Sequence, residues 1–283
     1  AVASSQVAMD AVASSQVAMD AVASSQVART QVWQSETAKA SILDPAHEAG
    51  LCAYVNVAGG REHDEFNTFT NLFASEVACR AAFASEVACR AIAESETARK
   101  ALQAQDKVDA FMTAPNMEQH QVTYVLREAS RSDNFVNWQA VAASQPAMQA
   151  VAATLTALKA IVANSTACSI VEGSTVAKNA LAVSPLRQQK NPPGTPYPGT
   201  YYNGKCWIVG FTRNWNPGGA TYQNVFGNFI NSPSQVSADV TSANSGVLQR
   251  FDRFANNAQV VSSSWGGDVS TSYWGSAIII PIA

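Results

Sequence analysis

The chain has 283 residues, 47% of them hydrophobic, and a formal net charge of −3, a composition typical of folded protein and unlike that of disordered or strongly basic nucleic-acid-binding segments. No run of about 18 apolar residues occurs, and the first residues lack the basic-then-apolar profile of a signal peptide, so neither a membrane span nor export by such a signal is predicted. The chain begins without Met and in phase with its own repeat. We therefore expect it to be the C-terminal part of a longer protein, or to lack its natural N-terminus.

A ten-residue repeat dominates the chain up to residue 184. It occupies residues 1–40, 71–105 and 140–184, as in AVASSQVAMD, NLFASEVACR and AVAASQPAMQ. The fifth position is Ser in nine of the eleven repeats and Thr or Asn in the other two, which are residues preferred at helix N-caps. Each repeat is therefore predicted to be a cap followed by a short helix. The eighth position is Ala in every repeat: Ala8, Ala18, Ala28, Ala38, Ala78, Ala88, Ala98, Ala147, Ala157, Ala167 and Ala177.

Ten residues do not fit one straight helix, because at about 100° per residue each repeat falls about 80° short of three turns. We expect either that the helix breaks or overwinds at each Ser, or that several chains wrap together with the Ala position at a shared axis. Ala and Val bury little area, so neighbouring copies, most simply three chains, are expected to complete the core. In both cases the repeat would set the length of a thin shaft.

The ninth position holds Met, Leu or Cys in most repeats and Arg or Lys near the end of each block. Cys79, Cys89 and Cys168 occupy it and are interpreted as small packing residues, with interchain disulfides or metal binding as alternatives. Cys52 and Cys206 have no CxxC partner, and an odd total argues against a disulfide framework. Reduced thiols and assembly in the cytosol are therefore expected.

Residues 41–70 and residues 106–139 interrupt the repeat with Pro, Gly, β-branched and aromatic residues. This composition predicts small inserted nodules made of short strands and turns. The run His63, Asp64 and Glu65 lacks the HxH or HxxxH spacing of a metal site. A solvated polar turn is predicted there, and no metal.

The composition changes at the end of the third repeat block. Residues 185–200 are rich in Pro, which predicts an extended linker. Residues 201–283 alternate as strands do, with a hairpin signal at Asn203-Gly204 and an apolar final strand, and predict an antiparallel β tip domain. This domain contains no Glu, no His and only three Asp. Catalysis by paired carboxylates or by a nucleophile and a base needs acidic residues or histidine, and this domain has almost none of them. Neither an enzyme nor a cofactor is therefore predicted.

Ser-capped, Ala- and Met-rich decapeptides ahead of a terminal β domain, with a GKCWIVGF strand and an IIIPIA ending, resemble the distal part of a tailed-bacteriophage tail fibre. The resemblance implies an α+β, elongated homotrimeric fibre with a receptor-binding tip, assembled in the host cytoplasm and carried on the tail of the virion. The implied partners are two further copies of the chain, a host-surface glycan or outer-surface protein, and other tail or baseplate proteins joined through a missing N-terminal part. No nucleic-acid partner is implied. The chain lacks the HxH iron-binding repeats and the collagen-like run of a common fibre pattern, so no metal is carried over.

Receptor contacts are expected where Trp and Tyr are flanked by Asn, Ser and Gly, since an exposed ring can stack on the face of a sugar. The same rings could instead fill the axis of a trimer. Two other functions stay open: a bacterial trimeric adhesin or purely structural filament, and a polysaccharide-cleaving tailspike, which would need convergent acids in a groove. The candidate receptor-binding residues are Asn214, Trp215, Asn216, Trp265, Asp268, Tyr273 and Trp274.

Overall fold

The structure is a computed structural model, and it describes residues 2–61, 66–190, 199–212, 223–226, 248–262 and 276–282. It divides into two compact units. The N-terminal unit comprises Ala1–Arg127 with Asn134–Val136, and the C-terminal unit comprises Glu128–Asp133 with Asn137–Ala283.

The described residues of the N-terminal unit form short helices joined by tight breaks. In chain order they are a 3-10 turn at Val2–Ser4, α1 Gln6–Ala13, α2 Gln16–Ser24, α3 Gln26–Gln34, α4 Glu36–Leu43, a 3-10 turn at Pro45–His47, α5 Glu48–Ala58, α6 Phe69–Ala74, α7 Glu76–Phe83, α8 Glu86–Glu94, α9 Glu96–Ala104, α10 Val108–Met112 and α11 Glu118–Glu128. Each ten-residue repeat is thus one helix, and of the two arrangements expected for the repeat the broken helix is confirmed.

The fifth-position Ser both ends one helix and begins the next. Ser25 is extended, with φ −103° and ψ 116°, and its Oγ accepts a hydrogen bond from the backbone N–H of Ala28 at 3.3 Å. Ser95 caps α9 in the same way through Ala98, at 3.2 Å. One extended residue in every repeat redirects the chain, so ten residues need not match the turns of a single straight helix.

Several helices pack against the helix that lies three helices further along the chain. In the N-terminal unit α1 packs on α4, α2 on α5, α5 on α8, and α6 on α9. Three successive helices therefore make one turn of a coil, and the next turn lies against it. The core of the repeats is formed by the chain itself.

The eighth-position alanines lie in this core. They are buried within one chain, so their size does not require the predicted axis shared by three chains. The small side chain instead lets neighbouring helices of the same chain approach each other closely. Those of the first three repeats, Ala8, Ala18 and Ala28, are half-buried. Those with 1% exposure or less are Ala38, Ala78, Ala88, Ala98, Ala147, Ala157, Ala167 and Ala177.

The first interruption of the repeat is helical, and the prediction of strands and turns for residues 41–70 is wrong in the part that is described. Helix α5 takes the place of a repeat helix, packs on α2 and α8, and buries Leu51, Tyr54 and Val55 completely or nearly so. β-Branched and aromatic residues favour strands only where a sheet offers them a surface. Here the interior of the coil accepts the same side chains from a helix.

Gly50 allows the close approach of α5 to the preceding turn. A Cβ at this position would lie 1.9 Å from the carbonyl oxygen of Ala13, which is far inside a van der Waals contact. This glycine is therefore required by packing rather than by backbone conformation.

The second interruption, residues 106–139, is also helical, because α10, α11 and the first residues of the next helix occupy much of it. Phe111 on α10 packs edge-on against Phe83 on α7, with ring centroids 5.5 Å apart. Tyr124 on α11 packs on Phe111 at 5.6 Å. The aromatic residues that suggested strands hold these helices to the coil, so the strand prediction is wrong here too.

The C-terminal unit contains a coil of the same kind, together with a sheet. Its helices are α12 Trp138–Ala143, α13 Gln145–Ala152, α14 Leu155–Val162, α15 Ser165–Gly173 and α16 Thr175–Ala182. Helix α12 packs on α15, and α13 packs on α16. The rule of three helices per turn therefore holds in both units.

The sheet has the strand order β1-β5-β2-β4-β3, with antiparallel neighbours throughout. An antiparallel C-terminal sheet is therefore confirmed, and the chain is of the α+β class. Its strands are β1 Gln188–Lys190, β2 Gly199–Thr212, β3 Gln223–Phe226, β4 Leu248–Ser262 and β5 Ala277–Pro281.

The hairpin predicted at Asn203-Gly204 is wrong, because both residues lie inside strand β2. The pairing with β4 shifts register between Asn203 and Cys206, and Gly204 has φ 150°. The glycine lies at an irregularity in the strand and adopts the positive φ that occurs there. An Asn-Gly pair tolerates positive φ, which suits a bulge as well as a turn.

Candidate functional site

The predicted receptor-binding residues all lie outside the described residues: Asn214, Trp215, Asn216, Trp265, Asp268, Tyr273 and Trp274. The described strands that flank them can be placed. Strand β2 ends at Thr212 and β5 begins at Ala277, and Phe211 pairs with Ala277. The strand ends next to two of the three candidate segments are therefore neighbours at one end of the sheet. Their role in receptor binding stays a prediction.

The sheet has a closed core beneath these strand ends. Trp207 and Phe254 are fully buried and pack edge-on, with ring centroids 4.6 Å apart. Cys206, Ile208 and Val209 are also fully buried, so both faces of β2 are covered at this level. Trp207 is a core residue of the sheet.

Hydrogen bonds and ion pairs join the sheet to the last two repeat helices within the C-terminal unit. The Glu172 carboxylate accepts a hydrogen bond from the backbone N–H of Phe254 at 2.8 Å and lies 3.3 Å from Arg253. Arg250 donates to the side-chain oxygen of Asn179 and to the carbonyl of Lys178, both at 2.8 Å. These contacts fix the sheet on α15 and α16, so the repeat helices position the strands.

The ninth position of the repeat has a function that the sequence analysis missed. Arg99 donates to the carbonyls of Ala93 and Glu94 at 2.9 and 3.0 Å, and Arg29 donates to the carbonyl of Ala23. These are carbonyls at the end of the preceding helix, which lack partners within that helix. The signal was present in the sequence, since Arg and Lys recur at this position near the end of each block.

The fifth-position Ser has a second function besides capping its own helix. Ser174 donates its hydroxyl proton to the carbonyl of Ala142 at 2.5 Å, and Ser35 does the same to Ala3. Each bond spans 32 residues and joins one turn of the coil to the turn before it. Ser therefore fixes both the start of a helix and the contact between successive turns.

All five cysteines lie in the described residues, and all are free and buried. Burial raises the pKa of Cys79 to about 11 and the pKa of Cys89 to about 12. The Cys168 Sγ donates to the carbonyl of Ile161 at 3.4 Å. Protonated, buried thiols of this kind are packing residues and weak hydrogen-bond donors.

The histidines that the structure describes each contact a nearby polar group of the chain. His47 Nδ1 donates to the Ser41 carbonyl at 2.7 Å. His120 is buried, and its Nε2 lies 3.9 Å from Glu86; burial lowers its pKa, with the Glu86 carboxylate acting in the opposite direction. His63, with its acidic neighbours, lies outside the described residues.

Within the described ranges, no three or more His, Cys, Asp and Glu side chains are grouped so that they could hold a metal ion. None of the helices in those ranges is both long enough and apolar enough to cross a membrane. No known protein family matches the chain, and no curated protein has significant sequence similarity to it.

Proposed function

We propose that the chain is the distal part of a bacteriophage tail fibre, in which the capped repeats act as a spacer and residues 201–283 form a tip that adheres to the host surface. The receptor is a glycan or, as the alternative, an outer-surface protein. Three copies form the fibre, which is assembled in the host cytoplasm and carried on the virion tail. No catalytic activity is part of this proposal.

The observation that carries the proposal is the closure of each turn of repeats on the next turn of the same chain. Most repeat helices are capped by the Ser of their own repeat, as Ser174 caps α16, and successive turns are joined by bonds such as that from Ser174 to Ala142. In such an array each repeat depends on its neighbours alone, so repeats can be added without a new core. This is the property that a spacer requires.

The placement of the sheet supports a tip at the end of this spacer. Strands β2 and β4 contact α16 and α15, and Glu172 and Arg250 bind the sheet to these helices. Loops on a rigid scaffold are the usual location of binding residues. In the sequence, the predicted contact Trp215 stands between β2 and β3, and Trp265 stands between β4 and β5.

The three-chain assembly rests on the resemblance to tail fibres. The eighth-position alanines no longer support it, because they are buried within one chain. Light scattering should give about three times the mass of the chain. A folded monomer would refute the trimer while leaving the spacer intact.

A purely structural filament is the second candidate, because closure of the repeats supports it equally well. Glycan-array binding of the whole chain separates the two, with Trp215→Ala and Trp265→Ala as the test variants. Loss of binding with an unchanged melting curve is expected for the tip. The matched control is Trp207→Ala, which empties the sheet core and should cost about 3–5 kcal/mol. Retained binding in both test variants, or a loss of stability in them like that of the control, would refute their assignment to a receptor site.

A further inference from the structure

A cleft of about 220 Å³ lies in the N-terminal unit, between helices α3, α5 and α8. Arg29 and Arg90 line it together with Trp33 and Tyr54. The cleft is smaller than the roughly 300–1,000 Å³ that hold drug-sized ligands. It would therefore accept one small ring or a single charged group.

Two of its lining residues depart from the repeat of the first block. Arg29 stands at the ninth position, where the first two repeats have Met9 and Met19. Trp33 stands at the third position, where the first three repeats have Ala. Arg29 also binds the Ala23 carbonyl at the end of the preceding helix, whereas Trp33 has no counterpart in the first three repeats. Both side chains meet at the same cleft.

Arg90 is held in a conformation that leaves its donors available. Its Cζ lies 4.7 Å from the centroid of the Trp33 ring, and the indole is fixed by its own N–H, which donates to the Tyr54 hydroxyl at 3.0 Å. No described carboxylate lies within 4 Å of the Arg90 guanidinium, although Glu86 is one helical turn earlier on α8. A guanidinium that lies over the face of an indole is attracted by the ring and does not use its N–H donors in doing so, which leaves them able to bind a carboxylate with two hydrogen bonds.

Two guanidiniums, of Arg29 and Arg90, and one carboxylate, of Glu86, line the cleft, so its net charge is positive. Burial raises the pKa of Tyr54, while the hydrogen bond from Trp33 and the charges of Arg29 and Arg90 act to lower it. Both guanidiniums therefore act on the same hydroxyl. The carboxylate of Glu86 is 79% exposed, so water screens its negative charge strongly.

Polar groups suited to a sugar ring stand beside the two arginines. Gln26 and Thr30 are exposed, lie one turn apart on α3, and line the same cleft. The Thr30 hydroxyl donates to the Gln26 carbonyl at 2.9 Å, which leaves its oxygen free to accept from a ligand hydroxyl. The Gln26 amide offers both a donor and an acceptor.

We infer that this cleft binds the carboxylate of an acidic sugar, such as a uronic acid residue of a polysaccharide. Arg90, oriented by Trp33, and Arg29 hold the carboxylate, and Gln26 and Thr30 bind ring hydroxyls. The site belongs to the repeat region and is separate from the proposed tip. It does not depend on the tip's receptor or on the number of chains.

The test is calorimetric titration of the whole chain with glucuronate, and with glucose as the neutral counterpart that has CH₂OH in place of the carboxylate. Glucuronate should bind with a millimolar or lower Kd, and glucose at least about tenfold more weakly. Arg90→Gln should weaken glucuronate binding about tenfold or more, because a charge-assisted pair is lost. Added salt should weaken glucuronate binding and leave glucose unchanged.

Arg80→Gln is the matched control, since Arg80 is exposed at the same tenth position of the preceding repeat and the change removes the same charge. It should leave glucuronate binding within about twofold of the unchanged chain. Melting curves check that both variants are folded; if Arg90→Gln melts early, Arg90→Lys keeps the charge and should still weaken binding, because the planar fork is lost. No glucuronate binding at about 10 mM, equal binding of glucose, or equal losses in the Arg80 and Arg90 variants would overturn the inference.

Discussion

Replacing Ser174 by Ala removes two hydrogen bonds that have different functions in the coil. The Ser174 Oγ accepts from the backbone N–H of Ala177 at 3.2 Å and caps α16, and it donates to the Ala142 carbonyl of the previous turn at 2.5 Å. Loss of an N-cap costs about 1 kcal/mol. Ala142 is 2% exposed, so its carbonyl would remain buried without this donor, at a cost of about 1–3 kcal/mol. The total loss in the free energy of unfolding should be about 2–4 kcal/mol.

Ser144→Ala is the matched control in the same unit. Ser144 caps α13 through Ala147 at 3.4 Å, and its hydroxyl proton has no described acceptor in a neighbouring turn. This variant should lose only the cap, about 1 kcal/mol. The difference between the two variants therefore isolates the bond between turns.

Urea unfolding followed by far-UV circular dichroism measures both losses. The transition midpoint should fall for both variants and fall further for Ser174→Ala, with no change in the slope of the transition. Equal shifts in the two variants would refute the claim that the Ser hydroxyl joins successive turns. A larger shift for Ser144→Ala would refute the assignment of the two functions altogether.

Three other perturbations test the packing of the coil. Gly50→Ala places a methyl group against the Ala13 carbonyl and should lower the melting temperature by the equivalent of about 1–3 kcal/mol; an unchanged melting curve would show that α5 can move away. Ala157→Leu should destabilise the chain by a similar amount because that position is fully buried. Lys159→Leu, on the exposed side of the same helix, should change the stability little. Equal effects of the two changes would show that the side of the helix assigned to the core is wrong. Cys89, whose pKa is raised by burial to about 12, should stay protonated and unreactive towards a thiol reagent at pH 8 until urea unfolds the chain; rapid reaction of the folded chain would contradict its burial.

The sequence predicted the helices and their breaks, because Ser at a fixed position has a local mechanism that needs no knowledge of neighbours. It did not predict what the buried alanines contact. A methyl group indicates only that another backbone approaches closely, and a helix three repeats later in the same chain satisfies this as well as a second chain does. The sequence thus predicted that Ala157 is buried, but not which helix it packs against.

The interruptions and the cleft show the same limit. Tyr54 and Phe111 have the composition of strand residues, and only the interior of the coil decides that they lie on helices. Arg29 was recognisable as a departure from the repeat, but its position beside Arg90 depends on how turns stack. Arg29 and Arg90 are 61 residues apart in the chain, and the stacking of helical turns brings them to one cleft. No local sequence pattern predicts that these two side chains lie close together.

Because three helices make one turn, the number of decapeptides also determines on which side of the coil each later helix lies. Adding or deleting a single decapeptide should shift every later helix of the same unit to the next side of the coil, by one third of a turn, whereas a change of three decapeptides should restore the original side. A gain of one decapeptide ahead of α15 would therefore reorient the C-terminal sheet about the coil axis relative to α12, and a gain of three would only move it further away along that axis.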